Sequence, residues 1–324
     1  MQESSAAKLV QQILKRKPRA IARSLTLIEN AEGQEEVELL KALFPHTGQS
    51  LIVGVTGSPG SGKSTLVDRL AKAERGAGQS VGIIVVDPTS PFSGGAVLGD
   101  RIRMQSLFTD PEVFIRSMAT RGVLGGLAAS VNEALLVLDA AGYQRLIVET
   151  VGVGQDEVDI MRTAHMVLVV VVPGMGDGIQ TMKAGVMEIA DVFVVNKADR
   201  PETERTVEEL QALLSMSSRD DGWEPPIITT IATKGDGIRK LSDAIEKYRF
   251  FLGGSERFKE REIKLCQERL TEMLRVRLLR RVRHQVSEEE LRQYAEKMVT
   301  RELDPYTIMD RLLSDSVIEE ESHD

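Results

Sequence analysis

The stretch Gly57-Ser58-Pro59-Gly60-Ser61-Gly62-Lys63-Ser64-Thr65 fills every fixed position of the spacing G-x-x-x-x-G-K-[ST], which holds the phosphates of a nucleoside triphosphate. Its glycines let backbone N–H groups curl round a phosphate without Cβ clashes, and a helix N-terminus behind them adds partial positive charge. Lys63 can reach the β- and γ-phosphate oxygens, and Ser64 can place its hydroxyl on Mg²⁺. The surroundings agree. Residues 51–56 are an apolar, β-rich run, and Leu66, Val67, Leu70 and Ala71 recur at helical spacing.

A second group, Asn196-Lys197-Ala198-Asp199, follows the apolar run 192–195. N-K-x-D at a strand end, downstream of a phosphate loop, fits guanine. The Asp199 carboxylate can accept hydrogen bonds from both N1–H and the exocyclic amine. Adenine offers no such pair, and sites built on polar matches of this kind discriminate by ~10⁴. Asn196 is expected to tie the base loop to the phosphate loop, with the Lys197 stem over the base face. Ala232-Thr233-Lys234 has the position of a loop that offers a backbone N–H to guanine O6. GTP and GDP, with Mg²⁺, are the expected ligands.

A third group, Glu149-Thr-Val-Gly152, ends an apolar run with E-x-x-G where most GTPases carry D-x-x-G. The acid orders the Mg²⁺ shell, and the glycine N–H meets the γ-phosphate. Asp87, at the end of 81–87, is a further metal-shell or water-orienting candidate. Residues 88–99, rich in Pro, Ser and Gly, have the composition of a switch loop and end at Asp100, either a metal-shell residue or the N-cap of a helix over 101–107. The glycine-rich 173–183, with Asp177 and Lys183, reads as a second switch element or as a plain surface loop. Val153 stands where signalling GTPases place a water-orienting Gln, and Gln155 lies two residues on. Slow intrinsic hydrolysis is therefore expected, and a group supplied in trans is worth roughly 10³–10⁵ in rate.

These groups must be carried at strand ends. Strands are expected at 51–56, 81–87, 113–116, 146–150, 167–172, 192–196 and 227–231, with helices between them at 64–75, 123–141, 156–163, 178–190, 203–214 and 238–250. Continuous Val/Ile/Leu runs alternating with helices predict an α/β fold with a doubly wound, mainly parallel sheet, whose ligands sit at the carboxyl ends of the strands. Helical stripes before Pro45 and after residue 254 add a helical extension and a helical arm. The expected division is 1–48, 49–253 and 254–324. Ser287-Glu-Glu-Glu290 reads as a capped helix start. Lys15-Arg16-Lys17-Pro18-Arg19 is a solvated helix end or a contact for an acidic partner. The arginines between 275 and 283 are a solvated helix face or a subunit or partner contact.

A net charge of −8 over 324 residues gives no global case for nucleic acid or an anionic membrane. The apolar run 166–172 is too short to span a bilayer. The single Cys266 suits a reducing compartment and excludes an internal disulfide framework. A cytoplasmic protein is expected.

Together, 57–65, Val85 to Met104, Arg116 to Gly122, Glu149 to Gln155 and 196–199 resemble the MeaB/ArgK-type GTPases, a metallochaperone-like class with Glu in the third motif. The resemblance spans nearly the whole chain and is most specific over 85–104. It implies a GTPase chaperone for adenosylcobalamin-dependent methylmalonyl-CoA mutase, or a related acyl-CoA mutase, that gates cofactor loading and protects or reactivates the mutase. It also implies a homodimer formed through the C-terminal helices. Carried over by position, Lys63, Ser64, Asp87, Asp100 and Glu149 match phosphate and Mg²⁺ residues, and Asn196 and Asp199 match guanine residues. Asp177 and Lys183 match a switch loop that signals to the mutase. Two other readings share the phosphate loop: a nickel-insertion GTPase, for which one Cys and four His give a poor ligand set, and a transport-system kinase, against which N-K-x-D argues.

Overall fold

The computed structural model describes residues 5–30, 34–87, 104, 106–119, 126–150, 164–174, 189–216, 219, 221–253 and 256–317. Seven strands form one sheet: β1 (Leu51–Gly57), β2 (Val81–Asp87), β3 (Val113–Ala119), β4 (Arg145–Glu149), β5 (Met166–Val171), β6 (Val192–Asn196) and β7 (Ile227–Thr230). Their order is β3-β2-β4-β1-β5-β6-β7, and every pairing is parallel. This is the expected α/β architecture, with each strand within a few residues of the run that announced it.

The strands are apolar over most of their length because helices cover both faces. Side chains alternate across the pleat. Val53, Val55, Ile83, Leu168, Val170 and Val194 therefore pack with Leu66, Val67 and Leu70 of α4 (Lys63–Gly76) and with Leu241, Ile245 and Tyr248 of α7 (Ile238–Leu252). Ile52, Ile84, Val148, Val169, Phe193 and Val195 face the other way. They share a core with α5 (Gly126–Ala140), with Leu210 of α6 (Thr203–Ser215), and with the N-terminal helices α1 (Ser5–Leu14), α2 (Pro18–Asn30) and α3 (Gln34–Leu43).

The basic cluster before α2 docks this N-terminal layer. Arg16, at a left-handed φ of 53°, donates to the Ala141 carbonyl at 3.1 Å, also bonds the Gly142 carbonyl and the Glu112 carboxylate, and lies 4.8 Å over the Tyr143 ring. Lys15, Lys17 and Arg19 are exposed. A second anchor is Asp191, 0% exposed. Its carboxylate accepts from Val167 N–H at 2.9 Å, Tyr248 O–H at 2.8 Å, Arg219 at 3.0 Å and Arg261 at 3.1 Å. Burial pushes the Tyr248 hydroxyl well above the ordinary tyrosine range, which keeps it protonated as a donor.

The chain divides into two compact units, residues 1–266 and 267–324. The long α8 (Glu256–Gln285) runs from the first into the second. In the second unit, α9 (Glu288–Val299) starts at the expected capping box. Ser287 Oγ accepts the Glu290 N–H at 3.2 Å, and the Glu290 carboxylate accepts the Ser287 N–H at 2.9 Å. Asp304 opens α10 (Pro305–Val317) by accepting the Tyr306 and Thr307 N–H groups, each at 2.9 Å. No helix among the described residues is long and apolar enough to cross a membrane.

Candidate nucleotide-binding site

The central strand β1 leads into the glycine-rich loop, whose backbone only glycine can follow. Gly57 has φ 142°, and a Cβ there would lie 2.1 Å from the Val170 carbonyl oxygen of the neighbouring strand. Gly60 has φ 75° and Gly62 φ 92°. Gly62 is the N-cap of α4, and a Cβ on it would meet Asn196 Nδ2 at 2.5 Å. The loop is therefore pressed from one side by β5 and from the other by the end of β6. Its outer residues Pro59 and Gly60 are exposed, whereas Ser61 is buried. Thr65, half-buried, continues the first turn of α4.

Lys63, the first residue of α4, is buried. Its ammonium donates to the Gly57 carbonyl at 2.7 Å and the Ser58 carbonyl at 3.3 Å. The loop thus holds its cation inside its own ring of backbone groups, with the helix N-terminus behind it. Ser64 Oγ donates to Glu149 Oε1 at 2.6 Å, and both residues are buried. Strand register explains the meeting: β1 and β4 are parallel neighbours, and Val55 stands opposite Glu149. One residue on, Thr150 Oγ1 lies 3.1 Å from Thr56 Oγ1, joining the two strand ends a second time. A hydroxyl and a carboxylate in a buried pair form the hard, oxygen-only donor set that suits Mg²⁺. Among the described residues no group of three or more His, Cys, Asp or Glu is gathered as a metal site.

The base-binding group is tied to the same loop. Asn196, 2% exposed, donates from Nδ2 to the Ser61 carbonyl at 2.8 Å. Its Oδ1 accepts from Thr230 Oγ1 and from Ala232 N–H, both at 3.1 Å. Lys197 takes a left-handed φ of 57° and reaches the Gly60 carbonyl at 2.7 Å. Asp199 is exposed at the turn that follows, two residues beyond Lys197. Asn196 uses the Ala232 N–H, and the next N–H in that loop, Thr233, donates to no group among the described residues.

The structure thus draws Gly57 to Thr65, Glu149, Asn196 to Asp199 and Ala232-Thr233 to the carboxyl ends of β1, β4, β6 and β7. Asp87 closes β2. Its side chain lies outside the described residues, as do Asp100, Gly152, Gln155, Asp177 and Lys183, the loop 88–99 and the expected helix over 156–163. Thr56, Thr150 and Thr230 were not singled out from the sequence. Each is a polar residue at the end of an apolar strand, and that position was the available signal.

A family model described as methylmalonyl-CoA mutase-associated GTPase MeaB matches residues 21–287. A Pyrococcus abyssi protein named as a GTPase is 47% identical over 312 residues, covering 95% of this chain and 96% of that protein. GTPase ArgK of Escherichia coli is 35% identical over 266 residues, with 80% of each chain covered. A crystal structure of an LAO/AO transport system kinase superposes with a TM-score of 0.74 at 26% identity, covering 97% of this chain and 98% of that one.

Proposed function

The chain belongs to the MeaB family of GTPases, and from that membership we propose that it is a GTP-driven chaperone of an adenosylcobalamin-dependent methylmalonyl-CoA mutase. In this role it gates cofactor loading and protects or reactivates the mutase. The family description names that mutase. The observation that carries the nucleotide part is the convergence of distant groups on one loop: Ser64 with Glu149 at 2.6 Å, and Asn196 with Ser61 at 2.8 Å.

In the reaction, water attacks the γ-phosphorus of GTP, the bond to the β–γ bridging oxygen breaks, and GDP and phosphate leave. Lys63 and the loop N–H groups bind the phosphates, and Lys63 changes partners from the Gly57 and Ser58 carbonyls to phosphate oxygens. Ser64 and Glu149 would hold Mg²⁺, which neutralises phosphate charge when bound. Asp199 accepts from guanine N1–H and the exocyclic amine. Asp87, Asp100 and Gly152 belong to the metal and γ-phosphate side of this reading, and Asp177 and Lys183 to a switch that signals to the mutase.

The proposal includes a homodimer formed by the C-terminal arm, over residues 254–324. Leu270, Met273, Leu274 and Leu278 recur at helical spacing on α8 and are all exposed in the single chain. A second copy with the same stripe would cover them. The exposed, free Cys266 suits a cytoplasmic setting.

The test is GTP turnover with and without purified methylmalonyl-CoA mutase, paired with co-elution of the two proteins. A slow basal rate that rises with the mutase supports the chaperone reading. An unchanged rate with no co-elution overturns it and leaves the GTPase assignment standing.

A further inference from the structure

We propose that Arg69 is a positioning residue for recognition of the 6-oxo group of the purine, acting through Thr233. Arg69 lies on α4, the helix that opens at the phosphate loop, and its guanidinium Nη2 donates to the Thr233 carbonyl oxygen at 2.8 Å across 164 residues of sequence. The loop after β7 is a tight turn held by hydrogen bonds of its own. Lys234 and Gly235 N–H both donate to the Ile231 carbonyl at 2.9 Å, and Ile231 N–H donates to the Asp236 carbonyl at 3.1 Å. Ala232 N–H is held by Asn196 at 3.1 Å. The Thr233 N–H therefore sits between two clamps, Asn196 on the residue before it and Arg69 on its own carbonyl. It has no acceptor among the described residues.

A rigidly held N–H beside the N-K-x-D turn suits a carbonyl acceptor, and a purine O6 is the one that the guanine reading supplies. The inference rests on that reading. Arg69 also completes a set of three ties between the phosphate element and the base element, with Asn196 to Ser61 and Lys197 to Gly60. Of the three, it alone holds the Thr233 carbonyl, so its effect is confined to the 6-position of the base. The Asn196 and Lys197 ties end instead on the phosphate loop.

The test compares GDP, 6-thio-GDP and ADP by equilibrium binding to the full-length wild type, Arg69→Ala and Arg69→Lys. Sulfur at the 6-position keeps the N1–H and exocyclic amine that Asp199 reads and weakens only the acceptor. Arg69→Ala is expected to lose about 3- to 10-fold in GDP affinity, the scale of one hydrogen bond, with 6-thio-GDP changed less than about 2-fold. The preference for oxygen over sulfur should collapse in this variant. Arg69→Lys, which keeps a cationic donor, should fall between the two. A parallel loss for both nucleotides, or no loss in either variant, overturns the role of Arg69 while a wild-type preference for GDP over ADP keeps the guanine reading. Equal wild-type affinity for ADP and GDP overturns both.

Discussion

Asn196 Nδ2 donates to the Ser61 carbonyl at 2.8 Å across 135 residues of sequence, so a single carboxamide joins the loop that grips phosphate to the loop that reads the base. All of its hydrogen-bonding capacity used here is buried, with Thr230 and Ala232 on its oxygen. Asn196→Ala leaves three groups without their partner. Stranding buried donors and acceptors costs about 1–3 kcal/mol, and that loss is expected in the unfolding free energy. GDP should also stabilise this variant less than the wild type. Thermal unfolding with and without GDP checks both.

The Ser64–Glu149 pair should matter to turnover more than to folding. Losing one member of a metal-supporting pair costs roughly 10–100-fold in metal affinity or activity. Glu149→Gln and Ser64→Ala are therefore expected to move the Mg²⁺ dependence of GTP hydrolysis to higher concentration and to lower the rate on that scale. A titration of Mg²⁺ against the hydrolysis rate reads this directly. An unshifted titration would remove the pair from the metal site.

The three loop glycines should differ in sensitivity. At Gly57 a new Cβ would lie 2.1 Å from rigid strand backbone, at Gly62 it would lie 2.5 Å from the Asn196 amide, and at Gly60 nothing lies within 4 Å. Gly60→Ala meets only the penalty of a left-handed backbone, about 1 kcal/mol. Gly57→Ala must also displace β1 from β5. Gly62→Ala must also push Asn196 off Ser61. Denaturant unfolding is expected to rank the losses Gly57, then Gly62, then Gly60, and GDP affinity should suffer most at Gly57 and Gly62.

Asp110 supplies a pH dependence. The Arg75 guanidinium bonds it at 2.8 and 3.2 Å and holds its carboxyl below the ordinary range, against the opposing effect of burial and with help from the Glu112 N–H. A carboxylate with a lowered folded pKa stabilises the fold above its unfolded value, about 3.9, and loses that contribution as pH falls through the folded value. Asp110→Asn should therefore reduce stability near neutrality and flatten its decline below about pH 4. Chemical denaturation between acid and neutral pH tests the sign.

The strands were legible because each is a short apolar run that ends where a polar motif begins, as Val192 to Val195 gives way to Asn196. Lys63, Ser64, Glu149 and Asn196 were legible because their spacing to those runs is itself the signal. Partners fixed by the fold were harder to read. Arg145, at the start of β4, is 4% exposed and bonds the buried Glu74 of α4 at 2.9 Å. In sequence it is an ordinary charge beside a strand. Arg16 read only as part of a basic cluster, since its acceptors lie on Ala141, Gly142 and Glu112. Ala232-Thr233 was picked out by its position after a strand, but the engagement of the Ala232 N–H depends on the Asn196 side chain, and no local pattern encodes that choice.

The burial of α1 to α3 against α5 has a consequence for how the chain is made. Arg16 waits for a carbonyl that lies 125 residues downstream, and Ile13, Ile21 and Leu25 share that delay. At roughly 5–20 residues per second the interval is on the order of 10 s. During it, α1 to α3 can pack only on one another, and the part of their stripes that α5 covers stands in water. The all-parallel sheet offers no early shelter, because β1 needs β4 and β5 before it gains a neighbour. The nascent N-terminal helices are thus the segment on which a general chaperone would first act.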